Sequence, residues 1–307
     1  MKGLEEARAF YEQQGRDMLR RYFGEYEGRI AVGLAGHGSE CFGFDDEISR
    51  DHDFEQGFCL WIDDKTDEEI GFELSKAYRA LPRKRAEGRS SHGRSPGGVQ
   101  RISEFYMRYT GSPGAPESWQ QWLYLPSHAL AEATNGQVWR DDAGEFTAIR
   151  EKILNGMPED VRRKKIATCA VMMAQSGQYN YTRCLSHGEQ GAAMLALTEF
   201  VRWAASLIYL LNRRHMPYYK WMLRGMEALP RLSELAGALE FLLCGDNDDS
   251  GRATKAQVVE DICACIVAEF KAQKLTCGSW DYLERHGQDI MEHIENKEIR
   301  ALHIMEG

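Results

Sequence analysis

The chain has 307 residues, 43% hydrophobic and 28% charged, which is typical of a soluble globular protein with one large domain or two ordinary ones. Its 38 Lys and Arg against 47 Asp and Glu give a net charge of −9, which argues against nucleic-acid binding over a large surface. The 8 cysteines include no CxxC pair, so the pattern argues against a disulfide framework or zinc site and favours reduced thiols packed as small apolar residues.

The N-terminal half mixes helical and strand patterns. Apolar side chains at helical spacing predict an amphipathic helix over residues 3–26. The short apolar run from Arg29 to Ala35 predicts a buried strand, and residues 36–40 predict a turn into a short helix or loop. Alternation predicts a second strand over residues 51–62. Residues 99–109 predict a third strand or a strand that runs into a helix.

Helical periodicity dominates the chain beyond about residue 150. It predicts helices over residues 159–176, 187–214, 216–244, 254–273 and 281–301. The fold class we predict is α+β with two domains. Residues 1–150 form a mixed sheet with helices, and residues 151–307 form an all-α helical bundle.

The predicted location is the cytoplasm. The first ten residues are charged and do not resemble a secretory segment. The most apolar stretch, Trp203 to Leu211, is too short to span a bilayer and follows Arg202 directly. We therefore expect no membrane association.

Two aspartates at the start of the predicted second strand carry the chemistry. In a strand, Asp51 and Asp53 share one face with about 6.5–7 Å between their Cα atoms, while His52 points away. Carboxylates so placed repel each other unless a cation lies between them, and oxygen ligands suit Mg²⁺ or Mn²⁺. Upstream, Gly38 lets the backbone approach a phosphate closely, and Ser39 can donate hydrogen bonds to phosphate oxygens.

This combination resembles the signature of the nucleotidyltransferase superfamily, the fold of polymerase β palms and of kanamycin nucleotidyltransferase. The string from Gly38 to Asp53 is more similar to a bacterial branch known only as a domain of unknown function. The resemblance covers most of the chain, because three further segments match that branch: Tyr179–Arg183, His187–Glu189 and Asn212–Trp221. It implies that Gly38 and Ser39 contact a triphosphate and that Asp51 and Asp53 bind two Mg²⁺ ions.

The resemblance also implies a third metal-binding carboxylate on a neighbouring strand. Glu104 is the best-placed candidate, and Asp63 and Asp64 compete with it although they lie past the end of the predicted strand. If none of them serves, the site holds a single metal ion or binds a nucleotide without turnover.

Several charged residues are predicted to assist at the triphosphate. Arg213 and Lys220 bracket a break between helices and can bind phosphate oxygens, Lys as a point charge and Arg as a fork. Glu189 precedes a helix and is either the general base for an acceptor hydroxyl or a first-turn residue favoured by the helix dipole. Arg183 can pair with it. Residues 79–94 form a basic loop that either closes over the triphosphate or is simply solvated.

The predicted function is therefore transfer of a nucleoside monophosphate from a nucleoside triphosphate, with ATP favoured, to a hydroxyl of a small molecule or protein. The alternative is a catalytically degenerate protein that binds a nucleotide and regulates a partner. A third possibility is a toxin-type enzyme that modifies Tyr or Ser of a partner protein. The sequence does not indicate the acceptor or the oligomeric state.

Overall fold

The computed structural model describes residues 2–46, 56–83 and 97–307. They form two compact units, Met1–Glu117 with His128–Gly156, and Ser118–Ser127 with Met157–Gly307. The first unit combines helices with a mixed sheet, and the described residues of the second are helical apart from their connections. The predicted α+β fold class is confirmed.

The first unit begins with a nearly continuous helical segment, which confirms the amphipathic helix predicted over residues 3–26. It comprises α1 (Gly3–Phe10), a π-helical turn (Tyr11–Gly15), α2 (Arg16–Phe23) and a 3-10 helix (Gly24–Arg29). A side chain at Gly15 would lie 2.4 Å from the ring of Phe58. The bare glycine therefore lets the helical segment pack closely on that ring.

Four short strands form one mixed sheet in the order β3-β2-β1-β4. They are β1 (Ile30–Leu34), β2 (Cys59–Ile62), β3 (Gly98–Arg101) and β4 (Gln137–Arg140). β1 is antiparallel to both β2 and β4, and β2 is parallel to β3. β1 and β2 are buried along their whole length, which explains their continuous apolar sequence. The strand predicted from Arg29 to Ala35 is confirmed.

Both faces of the sheet are covered by side chains of the first unit. On one face Val32 and Leu60 belong to a core that includes the N-terminal helical segment. On the other face the ring of Trp61 stacks on Phe146 with centroids 3.9 Å apart, and Phe105 packs edge-on against Trp61. The central strands are thereby fixed from both sides.

The second strand is shorter than predicted. Gln56–Phe58 are not in a strand, and β2 begins at Cys59, whereas the sequence predicted a strand over residues 51–62. The reason is at Phe58, whose N–H donates to the hydroxyl of Tyr78 (3.0 Å) while its carbonyl accepts from that hydroxyl (2.7 Å). The Phe58 carbonyl also accepts from the N–H of Gly98 in β3 (2.9 Å), so the Tyr78 side chain takes the place of a strand partner only at the N–H. Residues 51–55 lie outside the described part of the chain.

The remaining helices of the first unit connect and cover the strands. They are α3 (Ser39–Phe42), α4 (Asp64–Arg79), α5 (Ile102–Thr110), α7 (Ser127–Thr134) and α8 (Glu145–Asn155), with Ser127 itself assigned to the second unit. β3 runs directly into α5, which confirms the second of the two alternatives predicted for residues 99–109.

The second unit is built from helices. They are α6 (Trp119–Tyr124), α9 (Glu159–Met173), a π-helical segment (Ala174–Tyr181), α10 (Thr182–Ser186), α11 (Gln190–Leu211), α12 (Tyr219–Met226), α13 (Leu235–Cys244), α14 (Asp249–Ala272), α15 (Leu283–Glu292) and α16 (Lys297–Ala301). Helices are confirmed in every region where the sequence predicted them.

Two of the predicted helices are each divided in the structure. The prediction over residues 216–244 is wrong in continuity, because α12 and α13 are separated by a segment that contains Pro230 and a left-handed Leu232 (φ 58°). The prediction over residues 281–301 fails similarly. There Asn296 accepts hydrogen bonds from the N–H groups of Glu298 and Ile299, and so begins α16 as a separate helix.

Helix α11 is longer than the apolar stretch identified in the sequence. It has 22 residues, and among the described residues it is the one helix whose length and composition would allow it to cross a membrane. Half of the most apolar part of this helix is buried inside the protein, and Phe200, Ala204 and Leu207 are fully buried. This burial is that of a core helix, and the apolar stretch from Trp203 to Leu211 is its C-terminal part.

All eight cysteines lie in the described part of the chain and are free thiols. Four are buried (41, 59, 169 and 263), as predicted for small apolar residues, whereas Cys184 is half-buried and three are exposed (244, 265 and 277). Burial raises the pKa of Cys59 to about 12 and that of Cys169 to about 11, so these two thiols stay protonated.

Candidate functional site

The segment after β1 is a glycine turn that leads into α3, as predicted. Gly36 has φ +113° and Gly38 has φ +126°, ψ 148°, a region open almost only to glycine. A side chain at Gly38 would lie 2.6 Å from the carboxylate of Glu40. Ser39 is half-buried and is the first residue of α3. The backbone at Gly38 is therefore bent, and the Glu40 carboxylate occupies the space above it.

The far end of this loop is also tied down. The N–H of Gly3 donates to the Asp45 carboxylate (2.8 Å), and the ammonium of Lys2 donates to the carbonyl of Gly43 (2.7 Å). The loop from residue 36 to residue 45 is thus held within the first unit by contacts to helix α1 and the residue before it.

The turn lies at one edge of the sheet. Gly33, near the end of β1, is paired with Cys59 at the start of β2, and Cys59 is paired with Gly98 at the start of β3. The chain leaving β1 and the chain entering β2 therefore meet at the same edge. Asp51 and Asp53 precede β2 by a few residues in sequence, but both lie outside the described residues.

A cleft of about 640 Å³ opens in the first unit at this edge. That is within the usual range for a small-molecule site. Its lining combines residues from the end of β1, from β3 with α5, and from α7: Ala35, His37, Gly97, Gly98, Val99, Gln100, Glu104, Phe105, Arg108, Tyr109, His128, Ala129 and Glu132. His37 belongs to the Gly38–Ser39 turn, so the turn forms part of the cleft wall.

The cleft contains charges of both signs. Glu104 forms an ion pair with Arg101, and the carboxylate of Glu132, which is 15% exposed, lies 3.7 Å from Nδ1 of His37. Tyr109 is buried, and burial together with the charge of Glu132 raises the pKa of its hydroxyl to about 12. The phenol therefore stays protonated and available as a hydrogen-bond donor at neutral pH.

None of the four strands in the described part of the chain carries Asp or Glu. The third carboxylate was expected on a neighbouring strand, but Glu104 is the third residue of helix α5. The β3 residues that line the cleft are Gly98, Val99 and Gln100, and the polar side chain among them is an amide. Asp63 caps α4 by accepting from the N–H of Thr66 (2.9 Å), and Asp64 accepts from the hydroxyl of Ser103 (2.5 Å).

Two carboxylates, Glu104 and Glu132, line the cleft. Among the residues that the structure describes, no group of three His, Cys, Asp or Glu side chains is placed to hold a metal ion. Glu104 and Glu132 of the cleft therefore do not make a metal site on their own.

The four predicted assisting residues all lie in the second unit, at its surface. Arg183 donates to the hydroxyl of Tyr179 (3.1 Å) rather than forming the predicted pair with Glu189, which occupies the N-cap position of α11 without a side-chain cap hydrogen bond. Arg213 is left-handed (φ 52°) and pairs with Glu159 at 2.9 Å. Lys220 lies on the ring of Trp221, 5.4 Å from its centroid.

The predicted basic loop is described only at its start. Arg79 is the last residue of α4, and the guanidinium of Arg83 lies 4.5 Å from the ring centroid of Tyr78. Lys84, Arg85, Arg89 and Arg94 lie outside the described residues.

Sequence reasoning missed several residues of the cleft. Arg108, His128 and Glu132 were not singled out, although His128 and Glu132 stand four residues apart, the spacing that places side chains on one helix face. Arg108 has the same spacing from Glu104 on α5. Helical spacing was thus the available signal in both helices.

Comparison with known proteins gives limited matches. The profile of one family, "Domain of unknown function (DUF4037)", matches residues 122–222, about a third of the chain. No curated protein matches. The crystal structure of a nucleotidyltransferase-like protein from Exiguobacterium sibiricum 255-15 is similar at 10% identity and a TM-score of 0.38, covering 92% of this chain and 81% of that chain. A likeness of this size leaves the activity to be inferred from the residues themselves.

Proposed function

We propose that the chain is a Mg²⁺-dependent nucleotidyltransferase that uses a nucleoside triphosphate, ATP by preference. One observation carries the proposal. The Gly38–Ser39 turn leaves a fully buried strand in a conformation open almost only to glycine, and it does so at the sheet edge from which β2, the strand after Asp51 and Asp53, begins. The adjoining cleft has room for a small molecule.

The candidate site residues of the first unit have distinct roles in this proposal. The backbone at Gly38 and the hydroxyl and N–H of Ser39 bind phosphate oxygens once the Glu40 carboxylate rotates away. Asp51 and Asp53 hold Mg²⁺, which when bound supplies positive charge for the phosphates. Glu104 is the remaining candidate ligand, from helix α5 rather than from a strand.

The reaction is an in-line displacement at the α-phosphorus. The acceptor hydroxyl oxygen forms the new bond to phosphorus and loses its proton, for which Glu189 is the proposed base. The bond from the α-phosphorus to the bridging oxygen breaks, and pyrophosphate leaves with the electron pair. Lys220, Arg213 and Arg183 are further proposed to bind phosphate oxygens.

A second candidate function is favoured by the residue at the third strand. Because none of the β3 residues that line the cleft is a carboxylate and the polar one, Gln100, is an amide, a site that binds nucleotide without turnover is the alternative. Such a protein would regulate a partner according to the bound nucleotide.

Pyrophosphate release separates the two candidates. The chain is incubated with Mg²⁺, each common nucleoside triphosphate and a cell lysate as a source of acceptors. The proposal expects release that is lost in Asp51→Asn and Asp53→Asn. Asp17→Asn serves as the control, because Asp17 is an exposed residue of α2 in the same unit. Nucleotide binding without pyrophosphate release in the wild type would favour the regulatory alternative. If the wild type binds no nucleotide, both candidate functions are excluded.

A further inference from the structure

The loop before β4 continues the pairing of β1 by means of a side chain. Leu34 of β1 is paired with Gln137 of β4. Two residues further from each strand, in the same register, lie Gly36 and Asn135. Here the ladder is continued by the Asn135 amide, not by its backbone: the N–H of Gly36 donates to Oδ1 (2.7 Å), and Nδ2 donates to the Gly36 carbonyl (2.7 Å).

Pairing with a side-chain amide instead of a backbone allows the chain to turn after Gly36. A paired backbone would extend β1 and hold residues 37–39 in a strand, whereas the amide satisfies both polar groups of Gly36 and leaves the chain free to bend. Asn is one of the few side chains with a donor and an acceptor side by side. The bend to Gly38 thus starts from a glycine whose N–H and C=O are both fixed.

The neighbouring residue fixes the other end of the turn. The N–H of Gly136 donates to the carbonyl of Cys41 in α3 (2.8 Å). Gly136 has φ +66°, and a side chain there would lie 1.9 Å from the carbonyl oxygen of Leu34, so only glycine fits. Residues 135 and 136 therefore contact the turn at Gly36, before the Gly38–Ser39 step, and at Cys41, after it.

A half-buried arginine, Arg150, donates hydrogen bonds to both Asn135 and Gly136. Nη1 of Arg150 donates to the carbonyl of Asn135 (2.6 Å), and Nη2 donates to the carbonyl of Gly136 (3.3 Å). Arg150 belongs to α8, a helix anchored in the aromatic core through the buried Phe146. The turn is thus connected by hydrogen bonds to the rigid part of the first unit.

We propose that Asn135 is a positioning residue of the phosphate-binding turn, and that its two-way hydrogen bond with Gly36 holds Gly38 and Ser39 in the geometry that binds the triphosphate. The inference rests on the proposed nucleotide site. Asn135 acts through the turn, which it holds preorganised, so that less ordering is needed when the phosphates bind. Its loss is expected to weaken binding of phosphate-bearing ligands.

Asn135→Asp is the sharpest test, since it is isosteric. Its ionised carboxylate still accepts from the N–H of Gly36, but it cannot donate to the carbonyl and faces it with a negative charge. We expect the Kd values of Mg²⁺–ATP and of pyrophosphate to rise about tenfold at pH 7.5, the effect of losing one hydrogen bond. Asn155→Asp, at a surface amide of the same unit, is the matched control and should leave both Kd values unchanged.

Lowering the pH provides a readout that a general loss of packing would not give. A protonated aspartic acid carries an O–H donor beside its carbonyl, as the amide does, so binding by Asn135→Asp should recover towards wild type between pH 7.5 and pH 5. Asn135→Ala, which has neither group, should stay weak across the same range. Comparing each variant with the wild type at every pH removes the titration of the ligand itself.

Hydrogen exchange tests the turn without any ligand. In the ligand-free protein, Asn135→Ala should speed amide exchange at Gly36 and over residues 38–41, whereas Asn155→Asp should not. If the wild type binds neither ATP nor pyrophosphate, the proposed function fails and the inference fails with it. If the wild type binds both and the Asn135 variants bind equally well with unchanged exchange, the inference alone is overturned.

Discussion

At the scale of single residues, the conformation of the turn depends most directly on Gly38. Its backbone lies at φ +126°, ψ 148°, where a residue with a Cβ is strained. The Glu40 carboxylate occupies the space above it but can rotate away, so the strain comes from the backbone rather than from a clash. The resulting cost should appear both in stability and in ligand binding.

Gly38→Ala is therefore expected to lower the free energy of unfolding by about 1–3 kcal/mol and to weaken ATP binding. Urea denaturation and a binding titration measure the two effects. The control is Gly28→Ala, because Gly28 has no atom within 4 Å of an added Cβ and is exposed. Equal stability and affinity in both variants would show that the turn tolerates a side chain.

Glu104 is the proposed third metal ligand of the site. If it binds Mg²⁺, Glu104→Gln should reduce pyrophosphate release by at least about tenfold and raise the Mg²⁺ concentration needed for half-maximal rate. Glu68→Gln, at an exposed position of α4, is the control. A Glu104→Gln variant with the wild-type rate and Mg²⁺ dependence would remove Glu104 from the ligand set.

At the scale of elements, helix packing in the second unit depends on a glycine of the π-helical segment. Gly177 is buried where a side chain would lie 2.3 Å from the ring of Phe200 and 2.9 Å from Val259. Both neighbours belong to long helices, α11 and α14, and are fully packed. The close approach of these three elements therefore requires the absence of a Cβ.

We expect Gly177→Ala to lower the free energy of unfolding by about 1–3 kcal/mol through overpacking. Gly237→Ala is the matched control, since Gly237 lies in helix α13 with no atom within 4 Å of an added Cβ. That variant should gain about 0.5–1 kcal/mol, the helix preference of alanine over glycine. Chemical denaturation compares the two, and equal losses would contradict the packing account.

A buried lysine links helix α9 to the C-terminal residues. The ammonium of Lys164 donates to the hydroxyl of Thr168 (2.9 Å), to the carbonyl of Ile304 (3.1 Å) and to the carbonyl of Glu306. Burial lowers the pKa of Lys164 to about 8. In the unfolded chain the ordinary lysine pKa is about 10.4, so between these values the unfolded state binds more protons than the folded state.

Stability contributed by this group should therefore rise as the pH increases from about 8 to about 10.4. The free energy of unfolding, measured in urea at several pH values, should increase more steeply for the wild type than for Lys164→Met. Lys271→Met, an exposed lysine of α14, should retain the wild-type slope. Parallel slopes for all three proteins would show that Lys164 keeps an ordinary pKa.

Some strands could be predicted from the sequence and others could not. β1 was predictable because a strand buried on both faces gives a continuous apolar run that a glycine turn follows. β4 was missed because Gln137–Arg140 is only four residues long and partly exposed, too short for an alternation signal. The start of β2 depends on the hydroxyl of Tyr78, a residue distant in sequence that no local pattern reveals.

The same distinction applies to the candidate site. The Gly38–Ser39 turn was predictable from local residue types, since glycine and serine mark such turns by their own chemistry. Asn135 and Glu132 were not, because each contacts the turn across about a hundred residues of sequence. Long-range side-chain contacts of this kind are set by strand pairing, which a single sequence does not specify.

At the scale of the whole molecule, the charge and the two units limit the possible substrates. A net charge of −9 disfavours a nucleic-acid acceptor, since binding along a phosphate backbone requires surplus Lys and Arg. The cleft of the first unit is of small-molecule size. A small molecule or a protein hydroxyl therefore remains the proposed acceptor, with roles in phosphate binding proposed for the second unit.

Label transfer tests the central claim most directly. The protein is incubated with Mg²⁺ and a lysate, in parallel with ATP labelled at the α-phosphate and ATP labelled at the γ-phosphate. Nucleotidyl transfer predicts that the α-label enters an acceptor while the γ-label leaves as pyrophosphate, and that Asp53→Asn abolishes both. Transfer of the γ-label to an acceptor, or α-label transfer that is undiminished in Asp53→Asn, would contradict the assignment.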